Sequence, residues 1–560
     1  MIRILPMKNL IKKIFHHEQS IIIFICALIS ISSFIYYYNF DYLNLAYGDA
    51  VSRLNISRKI LDNITPGLGQ LGSVWLPLTH ILMIPFIWND FMWHTGAAGW
   101  IVSGIAFIIT CLYLYKIGKD IFVNRLSGIV MFLCAITNIN FIYMQTTAMT
   151  EVFFIMTVVT ATYYLMKWSR DLLVLDLMML GIIVSASSLV RYEGLFIVIL
   201  SCIYVFIFSF IKSRTWKTTE GNSVMFGTLA LTGIVIWCIY CGIVFGNPLL
   251  WKDIYSGKAS VISTENYEQL NLPSPDSYHS KLSLLDQIGR YGTTMMQMNG
   301  LLTSAVSIIS FVYLIALIAY LIKKREISDK LYLVAALLPL AVYAFVVMTL
   351  TTNFPLIHPP IDWDHIVSPN LNYQHSEYNI RYGLNLLPFV VIMIGWIISK
   401  SKRSVLIIMP IIFIQFYLSI NPSIFVLYSI PFKLHQDQSG RDKFGGSVGW
   451  LKKNYDGGLI IMSAYKHDPE MFFLGFNYKT FIHEGTQKYW LTSIKDPQRY
   501  ATWIYMTRPP KDLKTPTDEP VTKYLGNNQN VEKYYNLVYD DEQTLIYKIK
   551  SKPELTIPTN

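Results

Sequence analysis

The chain has 560 residues, of which 53% are hydrophobic and 15% charged, with a formal net charge of +10. Soluble domains do not carry so large an apolar share, and repeated runs of roughly 18 or more apolar residues mark bilayer spans, so a soluble fold is excluded and a polytopic α-helical membrane protein is expected. The positive balance does not point to nucleic acid, because many Lys and Arg residues stand in short links between apolar runs, where they set membrane orientation.

In chain order, Lys8, Lys12 and Lys13 precede an apolar run with no A-x-A-like cleavage site, the pattern of a retained signal anchor. About eleven transmembrane helices are expected, near 18–38, 96–115, 126–143, 151–167, 172–190, 194–211, 223–245, 301–322, 331–350, 383–399 and 404–420. The links alternate in character. Lys116, Lys119 and Arg125 fall on the side of the N-terminal lysines, as do Lys167 and Arg170, and Lys212, Arg214 and Lys217. So do Lys323, Lys324, Arg325 and Lys330, and Lys400, Lys402 and Arg403. The opposing links at 144–150 and 351–380 hold neither Lys nor Arg. The basic set is therefore expected in the cytoplasm, and the segments 39–95, 144–151, 191–194, 246–300, 351–382 and all beyond about 421 outside, in a plasma (inner) membrane. Asp49, Glu151, Arg191, Glu193, Glu377 and Arg381 then share one membrane face.

The first outer segment opens as DYLNLAYGDAVSRLNISRKILDNITP at 41–66, with Asp49 followed by Arg53, Arg58 and Lys59. Val51, Leu54 and Ile60 recur at helical spacing, which puts Asp49 at the mouth of an amphipathic helix that Pro66-Gly67 breaks. Asp49 is then either a helix cap or a reactive carboxylate at the membrane surface. The next apolar stretch, SVWLPLTHILMIPFIW, is interrupted by Pro77 and Pro85 and reads as an interfacial or re-entrant helix. His80 within it is either a structural hydrogen-bonder or a substrate contact.

Beyond about 436 the chain turns hydrophilic. GWLKKNY reads as a helix leading through Asp456-Gly457-Gly458 into a strand at GLIIMSA, ATWIYM as a second strand, and 534–549 as a hairpin turning at Asp540-Asp541. The expected division is a membrane module at 1–435, with its first outer loop at 39–95, and a small extracytoplasmic α/β domain at 436–560. That domain shows no phosphate-binding glycine loop and no nucleophile elbow, so chemistry is not expected to start there.

All six cysteines lie in apolar stretches and read as packing residues; Cys238 and Cys241 form a C-x-x-C inside a span with no second pair beside it. Asp362-Trp363-Asp364-His365 could hold a divalent cation by oxygen ligands, or is a solvated loop. No metal or cofactor is expected. The sequons at Asn55 and Asn63 matter only in a secretory pathway that glycosylates them.

Ionisable residues at span ends are costly to bury idly, so Arg191 and Glu193 in LVRYEGLF, Arg381-Tyr382 in SEYNIRYGLNLLP, and Glu151 at the start of a span are candidates for substrate binding. Each also has a plainer reading: a local ion pair for Arg191 and Glu193, a favourable helix N-terminus for Glu151, and lipid headgroups facing Arg53 and Arg58.

A long outer loop directly after the first span, opening on Asp49 and followed by basic residues and interfacial helices, resembles the GT-C membrane glycosyltransferases. The nearest resemblance is to the family 39 group, which includes protein O-mannosyltransferases and the aminoarabinose transferases of lipid A. The layout agrees along most of the chain, while the motif match is confined to residues 46–88. The resemblance implies a polyprenyl-phosphate sugar donor, an acceptor hydroxyl on a glycolipid, polysaccharide or protein, catalysis mostly without metal, and Asp49 as general base. Arg58, nine residues on, falls where the aminoarabinose transferases also carry an arginine. Many members have Asp-Glu where this chain has Asp49-Ala50, so the second acid has no counterpart here.

Chemically, a carboxylate can take the proton of an acceptor hydroxyl, direct displacement would invert the anomeric carbon, and arginine forks suit a departing phosphate. Asp49 is the expected base; Arg53, Arg58, His80, Glu151, Arg191, Glu193, Arg381 and Tyr382 are the expected substrate-binding residues. The rival classes are a multi-pass lipid or sugar transporter, which would place ionisable residues near mid-membrane, and a membrane scaffold or sensor that would not need the Asp49–Arg58 arrangement.

Overall fold

The computed structural model of the chain describes residues 5–40, 42–73, 75–250, 283–324, 330–350, 380–420, 446–509 and 519–555. The chain forms two compact units. One is Met1–Asn44, Trp100–Ile236 and Tyr278–Leu434; the other is Leu45–Gly99, Trp237–Ser277 and His435–Asn560.

The helices run α1 (Leu5–Asn39), α2 (Gly48–Lys59), α3 (Leu78–Ile87), α4 (Asp90–His94), α5 (Ala97–Lys116), α6 (Arg125–Ile136) and α7 (Ile139–Met144). Next come α8 (Glu151–Asp171), α9 (Val174–Ser188), α10 (Glu193–Ser213) and α11 (Trp216–Phe245). Further helices lie at Leu284–Asn299, Leu301–Lys323, Leu340–Leu350, Leu387–Lys400 and Val405–Ile420. Among the described residues, 8 helices are long and apolar enough to cross a membrane. The chain is a multi-pass helical membrane protein.

Three of the expected spans are shorter than a bilayer crossing. The stretch at 126–143 divides into α6 and α7 because Asn138 caps a new helix, its side chain accepting from Phe141 N at 3.0 Å. The stretch at 331–350 divides before Leu340, where Pro339 has no N–H to continue the ladder. The third, α9, has 15 residues.

In the first unit α8 and the helix Leu387–Lys400 are the most enclosed, with Val158, Val159, Met166 and Trp168 on one and Val390, Met393 and Trp396 on the other all buried. Small residues let these helices and their neighbours meet closely. A Cβ on Gly118 would lie 2.3 Å from Gly128 N, and Ser127 Oγ donates to Gly395 O at 2.6 Å. The uncharged turn at 144–150 is tied to α1 by Gln145, which accepts from Ser30 Oγ at 2.7 Å and donates to Ser33 Oγ at 2.6 Å.

The basic links gather at one end of this unit. Lys119 and Arg125 both pair with Glu18, Lys167 pairs with Asp176 at 2.7 Å, and Arg170 donates to Asp120 O. Glu151 stands at the other end of α8, and a 21-residue helix is about 30 Å long at the standard rise. Charge segregation along the sequence is thus a segregation in space.

The second unit is built on a five-stranded mixed sheet of order β2-β1-β3-β5-β4, with β1 Leu459–Ile461, β2 Phe481–Ile482, β3 Ala501–Thr507, β4 Tyr535–Asp540 and β5 Thr544–Ile549. β1 runs parallel to β2 and β3, and β5 antiparallel to β3 and β4. The hairpin turns where expected: Asp541 Oδ1 accepts from Gln543 N at 2.8 Å and Thr544 N at 2.7 Å. The sheet core is Ile461, Ile482, Trp490, Ile504, Met506 and Val521, and Ile64 packs on it.

Candidate active site

α2 begins at Gly48 with extended backbone at Tyr47, so Asp49 sits in the first helical turn rather than at the cap. A carboxylate there complements the helix N-terminus, as Arg58 and Lys59 complement the C-terminal turn. The helix stops at Lys59, before Pro66-Gly67. Gly67 adopts φ +136°, which an L side chain rarely tolerates, and its N–H turns back to Ile60 O at 3.0 Å.

The two cations of the last turn hold the unit together. Arg58 donates through Nε to Asp62 at 3.1 Å, through Nη1 to Ile87 O at 3.0 Å and Trp88 O at 2.8 Å, and pairs through Nη2 with Asp90 at 2.7 Å. Asp62 in turn accepts from Tyr478 N at 3.1 Å. One guanidinium thereby joins α2, the end of α3, α4 and, through Asp62, the C-terminal residues. Lys59 is buried and pairs with Asp468 Oδ1 at 3.3 Å, which also accepts from Tyr478 Oη at 3.0 Å. Arg58→Lys supplies a single ammonium for four partners, and is expected to lower unfolding stability by about 2 kcal/mol, as for lost hydrogen bonds to charged groups. Denaturant or thermal unfolding of the detergent-solubilised protein checks it; an unshifted midpoint would remove Arg58 from this joint.

Arg53 lies over the Trp75 ring, Cζ 4.4 Å from its centroid, and Trp75 stacks on His80 at 6.3 Å. His80 is fully buried, and burial together with the Arg53 and Lys59 charges holds its imidazole well below the usual range. His483 is likewise buried and held low by burial and by Lys59; its Nδ1 accepts from Gly485 N at 3.1 Å. Both rings are neutral in the folded chain, whereas the unfolded chain takes up two protons below about pH 6.5. This contribution is fully present above that pH and is lost as pH falls toward the lowered native values. The unfolding midpoint is expected to drop between pH 7 and pH 5, and to drop less in His483→Gln, as read by thermal unfolding across that range.

These elements line an open cavity of about 330 Å³. From the segment that follows α1 it is lined by Asp49, Ser52, Lys59, Gln70, Ser73 and Trp75, and from the C-terminal residues by Tyr465, Asp468 and Glu484. Glu484 is buried; it accepts from Ser463 Oγ and from Ala464 N at 2.8 Å, and burial pushes its carboxyl up. Asp49 is half-buried, in contrast to the buried Asp468 and Glu484.

The first unit gathers five other candidates into one cluster. Glu151 Oε1, on a fully buried side chain, accepts from Arg191 Nη1 at 3.3 Å and from Arg381 Nε at 3.1 Å. Arg191 also donates to Glu193 Oε1 through Nε at 3.0 Å and Nη2 at 2.8 Å, and to Thr150 Oγ1 at 3.1 Å. The Tyr382 ring lies under both guanidinium groups, 4.7 Å from Arg191 Cζ and 5.6 Å from Arg381 Cζ. Two arginines and two glutamates make the cluster neutral, so burial costs it less than it would an isolated charge.

Of the expected site residues, then, Glu151, Arg191, Glu193, Arg381 and Tyr382 meet in the first unit. Asp49, Arg53, Arg58 and His80 belong to the second, where Asp49 lines the cavity. Sequence reasoning missed Gln70, Ser73, Asp468 and Glu484. Asp468 and Glu484 are single acids in a hydrophilic stretch, and nothing in the local pattern marks them. Asp362-Trp363-Asp364-His365 and Glu377 lie outside the described residues. Among the described residues no group of three or more His, Cys, Asp or Glu could hold a metal ion.

Compared by sequence, the chain matches no family model and no curated protein. Compared by structure, it is similar to ArnT from Cupriavidus metallidurans, whose crystal structure was solved bound to undecaprenyl phosphate. The match has a TM-score of 0.53 at 11% sequence identity and covers 94% of this chain and 97% of that one. With so little sequence in common the likeness is one of fold, and it agrees with the GT-C resemblance carried by residues 46–88. The chain has an ArnT-like fold: a multi-pass helical membrane protein with a C-terminal mixed-sheet domain.

Proposed function

We propose that the chain is a GT-C-type glycosyltransferase that moves a sugar from a polyprenyl-phosphate donor to an acceptor hydroxyl of a glycolipid, polysaccharide or protein. The observation that carries this reading is a fold shared along 94% of the chain with a protein crystallised with undecaprenyl phosphate. The cavity on which Asp49 opens gives it local support.

Asp49 is the general base. Of the three carboxylates lining the cavity, Asp468 and Glu484 are buried. Asp49 is the one that is half-exposed, as a group that must reach substrate has to be. It takes the proton of the acceptor hydroxyl as that oxygen attacks the anomeric carbon. The sugar–phosphate bond breaks on the opposite side, so the configuration inverts and no covalent enzyme intermediate forms. The departing phosphate requires guanidinium donors: Arg53 is the candidate in the unit that carries Asp49, and Arg191 and Arg381, held by Glu151, Glu193 and Tyr382, are those of the first unit. In this reading the basic end of the first unit is cytoplasmic, the N-terminus included, and the C-terminal domain and the chemistry lie outside the plasma membrane.

The test is sugar transfer in membranes that contain the full chain, from a panel of radiolabelled polyprenyl-phosphate sugars to endogenous glycolipid, polysaccharide and protein. Label appearing in one of these fractions only when the chain is present supports the proposal. Label that stays on every donor overturns it.

A further inference from the structure

The helix Ala464–Leu474 contributes Tyr465 and Asp468 to the cavity wall, and it is broken in its middle. His467 has φ −118° and ψ 23°, outside the helical range, and Pro469 has no N–H to bond back to Tyr465 O. At this break the imidazole is buried, with 7% exposure. Its Nε2 lies 3.0 Å from Thr507 Oγ1 and its Nδ1 3.4 Å from Glu470 Oε1, and its ring stands edge-on to Tyr505 with centroids 5.1 Å apart. The other carboxylate oxygen of Glu470 is buried with no hydrogen-bond partner among the described residues.

The surroundings of His467 are acidic. Glu519 caps the helix Pro520–Leu525, accepting from Val521 N at 2.8 Å and Thr522 N at 2.6 Å, and Glu484 caps the start of 464–474 itself, accepting from Ala464 N at 2.8 Å. Both caps are buried. The neighbouring cations serve elsewhere: Lys59 pairs with Asp468, Lys466 lies over the Tyr465 ring, and Lys452 stands beside Gly475 past the end of the helix. Burial presses the imidazole pKa down, but Glu470, followed by Glu519 and Glu484, outweighs it and holds the group above its usual value. In the imidazolium both ring nitrogens donate, one toward Glu470 and one to Thr507. The neutral ring can keep both contacts only by accepting from the Thr507 hydroxyl, and it leaves three carboxylates without the cation between them.

We propose that His467 and Glu470 form a pH-sensitive clasp: the protonated pair holds the broken helix 464–474 in place, with Tyr465 and Asp468 on the cavity wall, and loss of the proton loosens it. A group whose pKa is raised by folding stabilises fully below its unfolded value of about 6.5, and that contribution is lost as pH rises through the folded value. The sign is opposite to that of His80 and His483. Asp468 carries the effect to α2, since its backbone oxygen accepts from Asn55 Nδ2 at 2.9 Å and its carboxylate meets Lys59 at 3.3 Å. In the orientation proposed above the clasp lies outside the membrane, where its proton follows the pH of the medium. It depends on the packing of the domain and not on the reaction, so it stands or falls apart from the glycosyltransferase reading.

The experiment is hydrogen–deuterium exchange, read by mass spectrometry on the full chain in lipid nanodiscs at about pH 6 and about pH 9, with rates corrected for the intrinsic effect of pH. No substrate is needed. Protection of the amides in 464–474 is expected to fall by about tenfold between the two, the scale of one hydrogen bond to a charged group, while that of β5 holds. Glu470→Gln keeps the shape of the side chain and is expected to lose most of the protection at the lower pH. His467→Gln is expected to abolish the pH dependence; should it fail to fold, the partly exposed Glu470 still supplies a safe variant. Equal protection of 464–474 at both pH values in the wild type overturns the proposal, as does an undiminished fall in Glu470→Gln. A fall in β5 as large as that in 464–474 overturns it too, because the whole domain would then be opening.

Discussion

Asp49→Asn is expected to lose sugar transfer by about 10²–10⁴-fold, the usual contribution of a positioned general base, while donor binding stays within about twofold. The amide keeps the size and shape of the carboxylate but cannot take a proton at neutral pH. Asp49 lies in the first turn of α2, so the substitution also removes a favourable helix–dipole interaction of about 0.3–1 kcal/mol. That loss is too small to unfold the unit, which makes the kinetic effect readable. The measurement is single-turnover transfer from a labelled polyprenyl-phosphate sugar alongside equilibrium binding of the same donor. Equal turnover in the variant would take Asp49 out of the reaction, and lost binding with normal single-turnover rates would make it a binding residue instead.

Glu151→Ala is expected to destabilise the first unit by about 3–5 kcal/mol, the cost of breaking a buried ion pair from one side. Glu151 Oε1 is shared by Arg191 and Arg381, so truncation withdraws one carboxylate from two largely buried guanidinium groups at once. Glu193 still meets Arg191, at 2.8 Å, which holds the loss to this range. Glu151→Gln keeps an acceptor oxygen in place and should lose less. The difference between the two variants in thermal unfolding separates the value of the charge from that of the hydrogen bonds. Identical midpoints for Glu151→Ala and wild type would show the cluster to be idle in folding.

The sequence carried the membrane architecture because hydropathy and basic flanks are local properties. α1, α8, α10 and the helices Leu301–Lys323 and Leu387–Lys400 fall where the apolar runs put them, and Lys119, Arg125, Lys167 and Arg170 gather at one end, as the alternating links imply. The breaks inside 126–143 and 331–350 were less legible. Asn138 and Pro339 are weak signals within apolar surroundings, and whether an apolar run continues through them depends on what packs beside it. In the C-terminal residues β1, β3 and the β4–β5 hairpin are readable from alternation and turn residues. β2 has two residues, too few for any period to register.

The candidate site divides in the same way. Asp49 and its helix could be read off 41–66, and so could the ionisable residues at the ends of α8 and α10. Their partners could not. Arg381 reaches Glu151 across 230 positions and Lys59 reaches Asp468 across 409. Pattern in a window of a few turns holds no information about such pairings. By itself, then, the sequence determined most of the spans, the uneven sharing of charge between their ends, and the acid after the first of them. Tertiary structure alone decided that Arg58 is a four-way joint, that Glu151 serves two arginines, and that Gln70, Ser73 and Glu484 share a cavity with Asp49. The physical reason is range: solvation acts on each residue where it stands, whereas a buried charge or amide is settled only by the group that folding brings against it.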